Sequence, residues 1–242
     1  MDSARKEFIR GDVLRMQPEK EERSPGPLAS QDLAGRSHKL ATLSCLNGVL
    51  PDEGLMPGSL VECVSNTDGV GVWTLALLMG WHACGERRSL AVADPERCFY
   101  PPAAALKLGI DLERLIVIRP ATWAEAYLAI EQSLRCPAIG AVIGRCRQLR
   151  AADGRRFQLA AEVGGGLGLL LRSEEAQASP SFAALRLRVT PLQHAAATRL
   201  IRVEVLRCRG GQAERFVILE MDDETGHVRV PAPVAHPATR AQ

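Results

Sequence analysis

The stretch Leu60-Val61-Glu62-Cys63-Val64-Ser65-Asn66-Thr67-Asp68-Gly69-Val70-Gly71-Val72-Trp73-Thr74 decides how the chain is read. The apolar run Ser59 to Val64 has the composition of a strand, a polar turn with two glycines follows, and the apolar segment from about Val72 to Cys84 has the length of a helix. A strand that turns directly into a helix aims free backbone N–H groups at whatever lies over the turn, which makes such corners anion sites. Loops that hold nucleotide phosphates this way follow G-x-x-x-x-G-K-[ST]: backbone N–H groups and the lysine wrap the phosphates, and the hydroxyl holds magnesium. With Gly71 as the second glycine, Asn66 takes the place of the first, Val72 that of the lysine and Trp73 that of the hydroxyl. Thr74 offers a hydroxyl one place late, Asp68 adds a negative charge, and Gly69 and Gly71 keep the loop flexible. Asn66, Gly69, Gly71, Val72, Trp73 and Thr74 are therefore candidate nucleotide-binding residues of a degenerate loop. The plainer reading is a strand–turn–helix corner whose glycines serve packing. No cofactor and no metal are expected, and weak ATP binding at the helix N-terminus stays open.

Working outward, apolar strands alternate with helical patterns. A strand at Ser89 to Ala93, a short helix at Pro101 to Leu108, a strand at Leu115 to Ile118, a helix at about Trp123 to Arg135 and a strand at Ile139 to Ile143 follow in turn. Strands this apolar, separated by helices, are covered on both faces, which predicts an α/β fold with a doubly wound, mostly parallel sheet. A basic helix at about Arg155 to Val163 and the strand Leu167 to Leu171 complete the parallel part. The segments Leu185 to Val189, Leu200 to Leu206 and Arg215 to Leu219 alternate apolar and polar residues, with Gly210-Gly211 as a hairpin turn, and predict C-terminal antiparallel strands. Residues 1–40 read as a short charged helix and a flexible linker, 41–230 as the core domain, and 231–242 as a disordered tail.

The composition narrows the classes of function. The chain has 242 residues, 46% of them hydrophobic, and no apolar run approaches the length needed to span a bilayer. The first residues mix charges and lack a secretory signal, so the expected location is the cytoplasm, away from membranes. Seven cysteines are scattered without a C-x-x-C pair and read as reduced thiols. Five histidines show no ligand spacing. A formal net charge of +2 is too small to argue for nucleic acid by itself, so the distribution matters more. Arg145, Arg147, Arg150, Arg155 and Arg156 form one basic stretch, and Arg199, Arg202, Arg207 and Arg209 another.

Nucleotide hydrolases of this architecture also need an apolar strand that ends in aspartate, to hold the metal. Here Ile139-Gly140-Ala141-Val142-Ile143 ends in Gly144-Arg145. Leu55-Met56-Pro57-Gly58-Ser59-Leu60-Val61-Glu62 resembles the lead-in to the first strand of the RecA recombinase family. Asp94-Pro95-Glu96-Arg97-Cys98-Phe99-Tyr100-Pro101, with Leu106-Lys107-Leu108-Gly109-Ile110-Asp111-Leu112-Glu113-Arg114-Leu115, resembles the segment with that family's catalytic glutamate. The resemblance puts Glu96 on the glutamate, as a relic and not a working base, since it lacks a positioned phosphate and metal. On the residues alone it reads as a solvated loop carboxylate.

The later segments resemble a degenerate RecA-like branch, the ImuA-like (SulA-like) proteins associated with translesion DNA synthesis. They are Arg155-Arg156-Phe157-Gln158-Leu159-Ala160-Ala161-Glu162, Gly165-Gly166-Leu167-Gly168, Leu170-Leu171-Arg172, Ser179-Pro180-Ser181, Ala184-Leu185-Arg186-Leu187-Arg188-Val189 and Arg202-Val203-Glu204-Val205-Leu206-Arg207-Cys208-Arg209-Gly210-Gly211. The resemblance implies a non-catalytic accessory of the SOS response to DNA damage, working with translesion polymerase subunits or RecA. The alternatives are an ATP-dependent recombinase that binds single-stranded DNA, against which Val72, Trp73 and Gly144-Arg145 speak, and a cell-division inhibitor, for which no separate motif is present.

A DNA contact would fall on two loops of such a fold. The one after Leu171 is short and carries Glu174 and Glu175, which repel phosphates. The one at Arg145, Arg147, Arg150, Arg155 and Arg156 is basic and lacks nearby aromatics, so a weak, salt-sensitive contact with single-stranded DNA reads equally with a solvated, arginine-rich helix end or a surface for an acidic partner. Trp73, Trp81 and Trp123 read as core residues.

Overall fold

A computed structural model describes residues 39–51, 54–66, 69–192, 198–210, 214–222 and 224–231. All lie in the unit that runs from Ser37 to Gln242; the unit Met1–Arg36, with the expected N-terminal helix and linker, lies outside the described residues, as does the tail beyond Pro231.

The opening stretch folds as read: strand β1 (Leu60–Ser65) leads through the glycine turn into helix α1 (Val72–Cys84). Next come β2 (Ser89–Ala93), α2 (Pro101–Leu108), β3 (Leu115–Ile118), α3 (Trp123–Arg135), β4 (Ile139–Arg145), α4 (Ala151–Gly164) and β5 (Leu167–Ser173). The chain continues through β6 (Leu185–Pro191), β7 (Thr198–Cys208), β8 (Phe216–Asp222) and β9 (Val228–Arg229). The described strands form one sheet in the order β3-β2-β4-β5-β1-β6-β7-β8-β9.

Local chemistry explains several boundaries. Helix α2 starts on Pro101 and Pro102, whose fixed φ suits a first turn, and stops at Gly109 in the left-handed conformation. At α3 the Thr122 hydroxyl accepts from the Glu125 N–H, and the Glu125 carboxylate accepts from the Ala121 N–H, which satisfies two otherwise orphaned donors. Helix α1 is apolar on nearly all sides, as a helix in the core must be.

Burial divides by strand alternation. Val61 and Cys63 of β1 join Leu75 and Met79 of α1 in one core, while Leu60 joins Ile130 and Leu134 of α3 and Phe157 of α4 in a second core on the other face. Helices thus cover both faces, and the sheet is doubly wound. Gly164 allows α4 to pass close to α3: a Cβ there would stand 2.0 Å from the Leu134 carbonyl oxygen.

Two readings need correction. The segment at Leu185 opens the antiparallel part as read, but β6 is also the last parallel strand: it pairs in parallel with β1, Val61 opposite Leu185 and Cys63 opposite Leu187. Antiparallel pairing starts only with β6–β7 and continues through β7–β8 and β8–β9. The alternation of Leu and Arg in β6 suggested a half-solvated strand, yet Arg186 is buried because Glu62 of β1 neutralises it. Helix α4 starts at Ala151 and not near Arg155; its first turn contains Asp153, bound back to Arg150 just before the helix.

Candidate functional site: the C-terminal edge of the parallel strands

The loop candidates, Glu96, Arg145 and Arg147 lie at or just beyond the C-terminal ends of the parallel strands, where open α/β sheets bind ligands, whereas Arg155 and Arg156 lie along α4. Gly69 and Gly71 have φ of 82° and 90°, and Gly71 caps α1. The glycine at 71 answers a contact as well as a dihedral: a Cβ there would stand 2.6 Å from Met221 Sδ of β8. Arg199 of β7 donates from Nη1 to the Gly69 carbonyl oxygen at 2.7 Å. The C-terminal antiparallel strands therefore close over the loop. Trp73 and Thr74, on the first turn of α1, face a cavity of about 680 Å³ that Phe99, Tyr100, Lys107 and Met221 also line. Trp73 is half-buried and stacks on Phe99 at 6.2 Å between ring centroids. Asn66 and Val72 face a second crevice on the β4–β5 side of the loop. Asp68 lies outside the described residues.

Beyond β2, Asp94 is 1% exposed and accepts from the backbone N–H groups of Cys98 and Phe99 at 3.0 and 3.1 Å, which fixes the loop before α2. Within that loop Arg97 has a φ of 56°, a strained value for a residue with a side chain. Glu96 is not a freely solvated loop carboxylate. Its Oε2 lies 3.0 Å from Arg145 Nη1, and its Oε1 accepts from Arg147 Nη2 at 2.6 Å. Arg147 also lies over the Trp123 ring, 5.0 Å from its centroid, so the expectation that no aromatic stands near the basic stretch is corrected. The tryptophans are only half-buried, and Trp81 carries the Arg114 guanidinium on its face at 4.6 Å.

The structure does not bring the five arginines of the basic stretch together. Arg145 and Arg147 turn to Glu96. Arg150 pairs with Asp153 at 2.9 Å, and Arg156 pairs with Glu131 of α3 and with Asp153. Arg155 is exposed on α4. Burial pushes the Glu131 carboxyl up, but hydrogen bonds from Arg135 and Arg156 outweigh it and leave its pKa below the usual range. The hydrogen bond from Arg150 holds the Asp153 pKa down, against a smaller opposing effect of burial. Most of this positive charge is already neutralised inside the protein.

Sequence reasoning missed a buried ionic group below the edge. Glu62 of β1 is 2% exposed and meets Arg186 of β6 at 2.7 Å, Arg172 of β5 at 3.5 Å and the Ser181 hydroxyl at 2.8 Å. The signal was present: three charged residues at interior positions of apolar strands imply mutual pairing, because an isolated charge there is too costly. Asp94 had a signal too, as an Asp-Pro at a strand end. Arg199 and Met221 had none, because only the tertiary fold brings them to the loop.

Among the described residues no group of His, Cys, Asp and Glu side chains is gathered for a metal ion, and no helix is long and apolar enough to cross a membrane.

Comparison with known proteins adds to this geometry. No family model matches the chain. It is 32% identical over 116 residues to the protein RecA of Rhodopirellula baltica, covering 45% of this chain and 30% of that protein. It is 29% identical over 140 residues to the protein ImuA of Caulobacter vibrioides, covering 50% of this chain and 56% of that protein, with the same figures in two strains. The chain thus spans only part of the length of the curated relatives it matches. The nine described strands, parallel except at the C-terminal end, are consistent with a RecA-like fold, and the distant homology to RecA and ImuA supports a place among RecA-like and ImuA-like proteins.

Proposed function

We propose that the chain is a non-catalytic RecA-like accessory protein of the DNA-damage response, which assists error-prone translesion synthesis through contacts with polymerase subunits or RecA in the cytoplasm. The observation that carries the non-catalytic half is the ion pair between Glu96 and Arg145. A carboxylate that activates water needs an oxygen aimed at the water and a phosphate and metal beyond it. Both Glu96 oxygens instead face guanidinium groups, and Arg145 follows Gly144 at the strand end where hydrolysis needs a metal-holding carboxylate. Val72 and Trp73 supply neither the lysine charge nor the magnesium ligand that stabilise a transferring phosphoryl group. Met221 against Gly71 and Arg199 on the Gly69 carbonyl fill part of the space over the loop.

The translesion half is supported by the likeness to ImuA, shared by half of this chain. Its test is genetic: delete the gene in its host, expose the cells to ultraviolet light and score induced mutation frequency. Induced mutagenesis should fall to the spontaneous level and return with the wild-type gene and with Thr74→Ala alike. Undiminished mutagenesis in the deletion strain would sink the proposal.

A further inference from the structure

Arg172 sits in β5 opposite Val64 of β1, with its side chain only 3% exposed. Its Nε and Nη1 are buried without a hydrogen-bond acceptor among the described residues. Among the described residues the carboxylate in ion-pair range is Glu62, 3.5 Å from Nη1, and both Glu62 oxygens are already engaged: Oε1 accepts from the Ser181 hydroxyl and Oε2 from Arg186 Nε. One buried carboxylate therefore serves two buried guanidinium groups, and the cluster is short of one negative charge. A guanidinium in this state needs a further acceptor that brings charge, because a buried cation that is only partly neutralised, with donors left without acceptors, destabilises the fold.

The same guanidinium lines a crevice of about 490 Å³ between the ends of β1, β4 and β5. Arg145, Arg147 and the hydroxyl-bearing Ser65 and Ser173 line it too, with Glu175 at the rim accepting from the Ser173 hydroxyl. Asn66 and Val72 of the degenerate loop border it as well, so the crevice adjoins that loop on its β4–β5 side, while Trp73, Thr74 and the two loop glycines do not border it. We propose that this crevice binds a phosphate dianion, held by Arg172 at its base and by Arg145 and Arg147 at its mouth. Arginine suits the role because its planar fork of donors meets two oxygens of a tetrahedral anion at once. Glu96 then acts as an internal competitor, holding the two mouth arginines until the anion displaces it.

The test is thermal unfolding of the full chain at pH 7.5, titrated with sodium phosphate against sodium chloride at equal ionic strength, and with 5′-phosphorylated and 5′-hydroxyl oligothymidylate. The expected result is a saturable rise in Tm with phosphate that Arg172→Met abolishes. A rise seen only with the 5′-phosphorylated oligonucleotide supports the same site, with its phosphate presented by a DNA end. Because Arg172→Met removes a buried charge and is at risk of misfolding, Glu96→Gln provides an independent arm. It frees Arg145 and Arg147 and should tighten phosphate binding about tenfold. The proposal is overturned if neither phosphate source raises Tm beyond chloride, or if the rise persists in Arg172→Met and is unchanged in Glu96→Gln.

Discussion

Glu96 and Arg145 meet across the C-terminal edge of the sheet, carboxylate Oε2 to guanidinium Nη1 at 3.0 Å. One comes from the loop after β2, the other ends β4, and these strands are neighbours in parallel register, Ala93 opposite Gly144. The pairing thus follows from topology: two strand ends held side by side present their next residues to each other. An acidic residue at position 145 would have repelled Glu96, and a metal between them would have been the natural resolution; an arginine satisfies the glutamate without one.

Gly71 and Met221 should behave as a pair. Gly71→Ala introduces a Cβ 2.6 Å from Met221 Sδ at a φ of 90°, and should cost about 2 kcal/mol in urea unfolding. Adding Met221→Ala relieves the clash but not the dihedral strain. The double variant should therefore be less destabilised than the sum of the two single changes, a coupling that a double-mutant cycle reads directly.

Glu62 has two buried dependants. Glu62→Gln leaves Arg172 and Arg186 without a counter-charge and should destabilise by about 3 kcal/mol or more, a fall in Tm of roughly 6–12 °C for a chain of this size. Calorimetry checks it, and a change under 1 kcal/mol would contradict the charge-deficit reading of the cluster.

Acid should loosen the seam between α3 and α4. The pKa values of Glu131 and Asp153 are held down in the folded state, against ordinary values of 4.5 and 3.8. Groups lowered on folding contribute stability that is fully present above their unfolded pKa values and is lost as pH falls through the folded ones. Stability from this pair should be level from pH 7 to about 5 and decline below about 4. The double variant Glu131→Gln with Asp153→Asn should be less stable at pH 7 and show a shallower acid decline in unfolding measurements at stepped pH.

The cysteines should separate by burial. All seven are free thiols; Cys98 and Cys136 are exposed, while burial pushes Cys63 and Cys146 up to about 12 and Cys84 up to about 11. Since the thiolate is the reactive form, maleimide at pH 7.5 should label Cys98 and Cys136 in the folded protein, and Cys63, Cys84 and Cys146 only after denaturation. Peptide mass mapping distinguishes the two sets.

The fold was largely legible because its helices and parallel strands follow local apolar patterning. Helices α1, α2 and α3 and strands β2 and β3 stand where the sequence puts them, since the lengths of their apolar runs, the period of α3 and the turn residues between them are local signals. The parallel pairing of β6 with β1 was not legible, because it brings Arg186 beside Glu62, a residue more than a hundred positions earlier. The start of α4 was missed because Ala151 to Gly154 carry little hydrophobic signal, and Asp153 acts there through a contact with Arg150. At the candidate site, the residue identities in the loop were visible in the sequence. That Arg145 and Arg147 would be spent on Glu96, and that Met221 and Arg199 would cover the loop, depends on strand order and on a distant hairpin.

On the function proposed above, the loop at Asn66 to Thr74 does not serve ATP turnover. The direct measurement titrates the purified chain with a fluorescent ATP analogue and magnesium, then follows phosphate release with and without single-stranded DNA. The account predicts no turnover above the buffer rate and no effect of DNA; tight nucleotide binding with DNA-stimulated phosphate release would contradict it.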